Sequence, residues 1–176
     1  MDDVRKAVSS DLKKNGRVLL LVGETRRELG ASQYHSVLGV DGGRVPRPDV
    51  EETRRLADLM LKANDEKMIK ACHDVGDGGL LACLTEMALG GDIGFQADLS
   101  GMGDLRTDHK LFSESSTRWV VEATKSKSEK LLDMLPAFRL GKTVKDKSCR
   151  FIDGDGEFTL DLIKAREAWS NAVERE

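Results

Sequence analysis

The sequence predicts an α+β fold, a mixed β-sheet covered by helices in α/β/α layers. Three patterns carry that prediction. Val18-Leu19-Leu20-Leu21-Val22 is an unbroken apolar run, as in strands covered on both faces. Met68 to Gly91 reads as a strand, a glycine turn and a helix in succession. Cys149–Ile152 and Phe158–Leu162 flank Asp153-Gly154-Asp155-Gly156, a hairpin composition that makes those two strands antiparallel. An antiparallel pair beside strand–helix units does not fit simple strand–helix alternation, so the sheet is mixed.

The chain has 176 residues, enough for one well-cored domain and too few for two ordinary ones. Aromatic residues are only 5%, so the core must be mainly aliphatic. A formal net charge of −3, with no aromatic-basic stripe, argues against nucleic acid as a partner. No apolar run approaches a membrane span and no secretory signal opens the sequence. Cys72, Cys83 and Cys149 are odd in number and lack Cys-x-x-Cys spacing, which points to reduced, buried thiols in a cytoplasmic protein.

In chain order, Met1 to Lys14 carries a weak helical stripe of Val4, Ala7 and Val8. After the first strand, Arg26 to Gly30 reads as a helical turn closed by glycine, and Ala31 to Leu38 as a short helix. Asp41 to Arg47 has turn composition, with Pro46 and Pro48 breaking any regular element. From Asp49, the positions Val50, Leu56, Leu59, Met60 and Ala63 mark an amphipathic helix ending near Asn64-Asp65. Ile93 to Leu99 alternates as a half-exposed strand, and Ser100 to Asp108 is a loop. Trp119–Ala123 and Phe138–Val144 read as further strands, with a helix over Ser126–Leu135 between them. A last helix from Leu162 to Val173 offers Ile163, Ala165 and Trp169 for packing.

The central stretch is where chemistry is expected. Ile69 to Val75 leads through Gly76-Asp77-Gly78-Gly79 into a helix whose apolar positions are Leu80, Leu81, Leu84, Met87 and Ala88. Such a turn puts free backbone N–H groups and the positive helix dipole beside a carboxylate, which suits an anion or an anion with a metal ion. Gly78 and Gly79 are therefore candidate phosphate- or substrate-binding positions. The same residues also fit a tight connection in which an Asp merely caps the helix. The spacing is neither a Walker A loop nor Gly-x-Gly-x-x-Gly.

Three stretches together resemble one family. They are Gly23-Glu24-Thr25-Arg26-Arg27-Glu28-Leu29-Gly30-Ala31-Ser32-Gln33-Tyr34, His73-Asp74-Val75-Gly76-Asp77-Gly78-Gly79-Leu80, and Leu111-Phe112-Ser113-Glu114-Ser115-Ser116-Thr117-Arg118. In this order and spacing they are similar to the carboxy-terminal domain of phosphoribosylformylglycinamidine synthase, large (synthetase) subunit. The second stretch alone is shared with the wider aminoimidazole ribonucleotide synthetase superfamily. The likeness runs from about Val4 to about Trp169.

The resemblance implies ATP and Mg2+ as cofactors of a full-length ligase, which converts formylglycinamide ribonucleotide to its amidine in purine biosynthesis. Its implied partners are the upstream ATP-binding domains, a glutaminase subunit that supplies ammonia and a small accessory subunit. Carried over by position, Asp74 becomes the metal candidate, while Glu114, Ser115 and Ser116 become the substrate- or phosphate-facing candidates. Ser116 stands where the family has glutamine, and Val45-Pro46-Arg47-Pro48 replaces a loop that carries another glutamine in the substrate-binding copy. Nothing here matches the family's ATP-grasping residues or catalytic histidine. The resemblance therefore implies one domain over 1–176, excised from a longer chain, with 1–16 as a linker and no catalytic residue of its own. It also implies self-association through surface that sister domains would cover.

Other candidates are weighed on their residues alone. His73 is expected to be hydrogen-bonded and structural. Glu114 could equally be a buried carboxylate satisfied by Ser113, Ser115 or Arg118. Asp74 and Glu114 are expected to face one hollow. His35 and His109 are expected in polar loops without ligand spacing, and Asp153-Gly154-Asp155-Gly156 lacks the length and terminal Glu of a calcium loop.

Overall fold

The computed structural model describes residues 3–171. Its strands are β1 (Val18–Val22), β2 (Ile69–Asp74), β3 (Gly94–Asp98), β4 (Trp119–Ala123), β5 (Ala137–Val144), β6 (Ser148–Asp153) and β7 (Gly156–Asp161). Its helices are α1 (Gln33–Leu38), α2 (Val50–Asp65), α3 (Gly79–Gly91), α4 (Thr107–Phe112), α5 (Lys125–Met134) and α6 (Leu162–Asn171). The strands form one sheet in the order β2-β4-β1-β5-β3-β6-β7. β3 and β6 run parallel, and the other neighbours run antiparallel.

The apolar run predicted for both-face burial behaves accordingly. Leu19 and Leu21 pack with Leu80, Leu84 and Met87 of α3. Val18, Leu20 and Val22 pack on the opposite face with Met60 and Ala63 of α2 and Leu131 of α5. Alternate side chains of one strand thus serve two cores, which gives the α/β/α layering. Each fully buried leucine contributes on the order of 2 kcal/mol of hydrophobic stabilisation.

The predicted linker is packed over its second half. Leu12 is buried, and its N–H donates to the Met87 carbonyl at 3.0 Å. The Cys72 N–H on edge strand β2 donates to the Ser9 carbonyl at 3.2 Å. The Lys13 N–H donates to Glu122 Oε2 at 2.6 Å. Glu122 is buried within β4, and that burial pushes its carboxyl up against the opposing pull of Lys13 and Arg17.

Several local expectations are corrected. Arg26 to Gly30 is not a helical turn, because its amides bond to distant acceptors. The Arg26 N–H donates to Ser115 Oγ at 3.0 Å, and the Gly30 N–H donates to the Arg44 carbonyl at 2.9 Å. The stripe in the first residues yields only a 3-10 turn at Val4–Lys6, with Val4 exposed. Val50, Ile163 and Trp169 point outward rather than into the core. The helix α4 occupies the end of an expected loop and carries His109. Residues 172–173 of the predicted last helix lie outside the described residues.

Candidate functional site

The turn into α3 depends on glycine. Gly78 and Gly79 have φ of 75° and 68°, where side chains with a Cβ are strained. A Cβ on Gly79 would also lie 2.5 Å from the Leu111 carbonyl oxygen. Gly79 therefore lets α3 start hard against α4. Asp77 is exposed and does not cap the helix, whose N-cap is Gly78 with no side-chain cap bond.

Glu114 takes the place of a cap from another part of the chain. Its Oε1 accepts the Gly78 N–H at 2.9 Å and the Gln33 N–H at 2.9 Å. One carboxylate oxygen thereby joins the N-termini of α3 and α1. Negative charge at helix N-termini and charge-assisted bonds to backbone amides both favour this arrangement. The Gly78 donor, predicted to meet an anion, already meets the chain's own.

Arg118 organises the same loops from beneath. It is buried, with Nε donating to the Ser115 carbonyl at 2.8 Å and Nη1 to Thr25 Oγ1 at 2.9 Å. Its Nη2 donates to the Ser113 carbonyl. Burial pulls its guanidinium down to about 10. The Arg118 carbonyl accepts the Val75 N–H at 3.0 Å, so the three sequence stretches meet in one network. Ser115 is buried and bonded to the Arg26 amide. Ser116 is half-buried.

His73 has the hydrogen-bonded setting expected of it. Its Nδ1 lies 2.8 Å from the Asp74 carbonyl oxygen, and its Nε2 lies 3.2 Å from Glu86 Oε2 on α3. The Asp74 side chain is 78% exposed. It borders a groove with Ile69, Cys72 and Trp119, whereas Glu114 is directed onto amides. The shared hollow expected for the pair is corrected: the groove that Asp74 borders is lined without Glu114, whose carboxylate is held on the amides of Gly78 and Gln33. Among the described residues no three His, Cys, Asp or Glu side chains converge as a metal site. Asp74 alone is one hard oxygen donor, too few for magnesium without phosphate or water oxygens. The three cysteines are unpaired, and burial pushes the Cys72 and Cys149 thiols up to about 12, far from a reactive thiolate.

Sequence reasoning named Arg118 only as a possible partner of Glu114 and missed it as the hub, because the carbonyls and hydroxyl that it bonds are gathered by the fold. It also missed the Gln33 amide, since nothing local links that residue to Glu114, 81 positions away.

The chain has relatives among known proteins. A family model described as AIR synthase related protein, C-terminal domain, matches residues 14–154. A curated relative from Thermoplasma acidophilum, phosphoribosylformylglycinamidine synthase subunit PurL, is 36% identical over 99% of this chain and 23% of that protein. The subunit of the same name from Thermoanaerobacter sp. is 34% identical over 100% of this chain and 25% of that protein. The chain thus spans about a quarter of the length of these relatives. Thermotoga maritima PurL complexed with FGAR superposes with a TM-score of 0.82 at 18% identity, covering 92% of this chain and 29% of that one. Escherichia coli HypE, a hydrogenase maturation protein, superposes with a TM-score of 0.65 at 20% identity, over 89% of this chain and 52% of that one. The two superpositions share the layered fold, and the family match takes in β1 to β6 together with the glycine turn, Glu114 and Arg118: this chain belongs to the AIR synthase related proteins, as their C-terminal domain.

Proposed function

We propose that the chain is the carboxy-terminal domain of a PurL-type phosphoribosylformylglycinamidine synthase subunit, part of an ATP-dependent ligase of purine biosynthesis. The supporting observation is that likeness to the PurL subunits extends over essentially all of this chain, yet takes up only 23–25% of theirs. In this reading the remaining domains hold ATP and the reacting amide. A glutaminase subunit and a small accessory subunit complete the assembly, in the cytoplasm. Solved relatives include a T. maritima PurL complexed with ATP and a PurLQS structure.

The domain's own contribution is to shape and brace the subunit. Gly78 and Gln33 spend their amides on Glu114, so an incoming phosphate would have to displace that carboxylate. Ser116 is the residue of the Glu114-Ser115-Ser116 stretch left to face a ligand. Asp74, well exposed at the end of β2, would offer one carboxylate to a magnesium ion, whose other oxygen donors would have to come from phosphate or water.

Joining the chain to the upstream three quarters of a PurL subunit tests this reading. Amidine formation from formylglycinamide ribonucleotide, ATP and ammonia is expected from the joined protein and not from the chain alone. Turnover by the isolated chain would overturn it. Asp74→Ala in the joined protein should raise the magnesium concentration needed for half-maximal rate. An unchanged magnesium dependence would remove the metal role.

A further inference from the structure

The two edges of the sheet are finished differently. Edge β2 is covered by the chain's own entry segment, through the Cys72 N–H bond to the Ser9 carbonyl at 3.2 Å. Edge β7 is open: among the described residues no strand pairs with its outer side and no hydrogen bond reaches its outward backbone groups. The Leu162 N–H donates to the Lys147 carbonyl at 3.2 Å. By antiparallel alternation Leu160 and Phe158 therefore also aim their backbone groups at β6, while Glu157, Thr159 and Asp161 turn N–H and C=O outward.

The strand is shaped to pair. It keeps unbroken register with β6 and carries no proline, lysine or bulge, the usual guards of an edge. Phe158, 36% exposed, stacks on the buried Phe151, which fixes the side shared by Phe158 and Leu160. Glu157, Thr159 and Asp161 stand on the other side. Residues 153–161 hold four acids and no base. Asp153 is paired to Lys110, whereas Asp155, Glu157 and Asp161 have no ion-pair partner among the described residues. Arg150 of β6, opposite Thr159, lies one row in from the edge.

These charges select the occupant. In a two-fold pairing with a second copy centred on Thr159, each Glu157 would lie opposite an Asp161, and like charges directly opposite are destabilising. A strand with basic residues at those two positions turns both pairs attractive. Apolar residues between them would stand beside Phe158 and Leu160.

We propose that β7 is a docking edge for an extended, lysine- or arginine-bearing segment of a partner protein. The segment adds antiparallel to the sheet, with one basic residue opposite Glu157 and another opposite Asp161, and the residue between them exchanges backbone bonds with Thr159. The proposal rests on the sheet edge and not on the ligase reading, so its failure would leave that reading intact.

Titration of the isotope-labelled chain with the synthetic peptide TKVTVKT, followed by amide NMR, tests it. The Glu157, Thr159 and Asp161 amides should shift most, because those of Phe158 and Leu160 are already bonded to β6. The peptide TEVTVET should bind at least about tenfold more weakly. N-methylation of the central threonine, which keeps the charges and removes one backbone donor, should also weaken binding about tenfold. Thr159→Pro removes an outward N–H without touching the β6 ladder and should abolish binding at an unchanged unfolding midpoint. Glu157→Lys should weaken TKVTVKT about tenfold. Equal affinity for the two peptides, indifference to N-methylation, or shifts confined to other residues would overturn the proposal. So would self-association of the unaltered chain that Thr159→Pro removes, since the occupant would then be a second copy. If Thr159→Pro fails to fold, the N-methylated peptide and Glu157→Lys still decide.

Discussion

Glu114 carries two backbone amides on a single oxygen, which makes it a clip between two helix ends. Removing the clip leaves two N–H groups without their acceptor, each worth about 1–3 kcal/mol when water cannot replace it fully. Glu114 is half-buried, so some water compensation is expected. Glu114→Ala should therefore lower unfolding stability by about 2 kcal/mol. Glu114→Gln keeps a carbonyl acceptor and loses only the charge at the dipole, about 0.3–1 kcal/mol. Urea unfolding with an unchanged m-value reads both. Equal small losses would show that the amides are satisfied without Glu114. The sequence marked this residue by its hydroxyl-rich setting, and it also left open that Ser113, Ser115 or Arg118 satisfies it. Instead, Ser113 and Ser115 accept backbone N–H groups from the 26–28 segment, and the Glu114 carboxylate turns to helix ends that only the fold brings near.

Among elements, the strands were the most legible, because period-2 and continuous apolar patterns survive without knowledge of neighbours. Helix α4 was not: six residues carry too little periodicity, and its position is fixed from outside. Lys110 is buried on α4, and its Nζ lies 2.7 Å from Asp153 Oδ1 in the β6–β7 hairpin. Thr107 Oγ1 donates to the other oxygen at 2.6 Å. The hairpin turn read from Asp153-Gly154-Asp155-Gly156 is correct as a turn, but Asp153 also anchors a helix. Burial alone would raise the Asp153 carboxyl. The bonds from Lys110 and Thr107 outweigh it and hold that carboxyl below its ordinary value. A folded-state value below the unfolded one means that the stabilisation is complete above the usual carboxylate range. It fades as pH falls through the depressed value. Asp153→Ala should cost about 3 kcal/mol at neutral pH, since it strands a buried ammonium. That difference should shrink in acid, where the unaltered protein loses the bridge too. A pH-independent difference in thermal unfolding would contradict this account.

For the molecule as a whole, the two cores account for the fold, and they leave apolar surface over. Ile163 and Trp169 on α6 are exposed, as is Leu61 on α2. Trp169 also lines an open, largely apolar groove between α3 and the β7–α6 junction, with Leu81, Leu89 and Leu160. Helical spacing alone assigned Ile163 and Trp169 to packing but could not say against what. The α6 residues that do meet the main core are Leu162 and Ala165. Within the proposed longer subunit such surface would be covered; in the chain alone it is open to water. The chain should therefore self-associate as concentration rises, and more strongly in high salt, where repulsion within a net charge of −3 is screened. Sedimentation velocity from dilute to concentrated solution reads this directly. Trp169→Ser should shift the chain towards monomer without changing its unfolding midpoint, because the ring lies largely outside the core. A chain that stays monomeric throughout, or a Trp169→Ser variant that associates as strongly, would show that this face needs no covering.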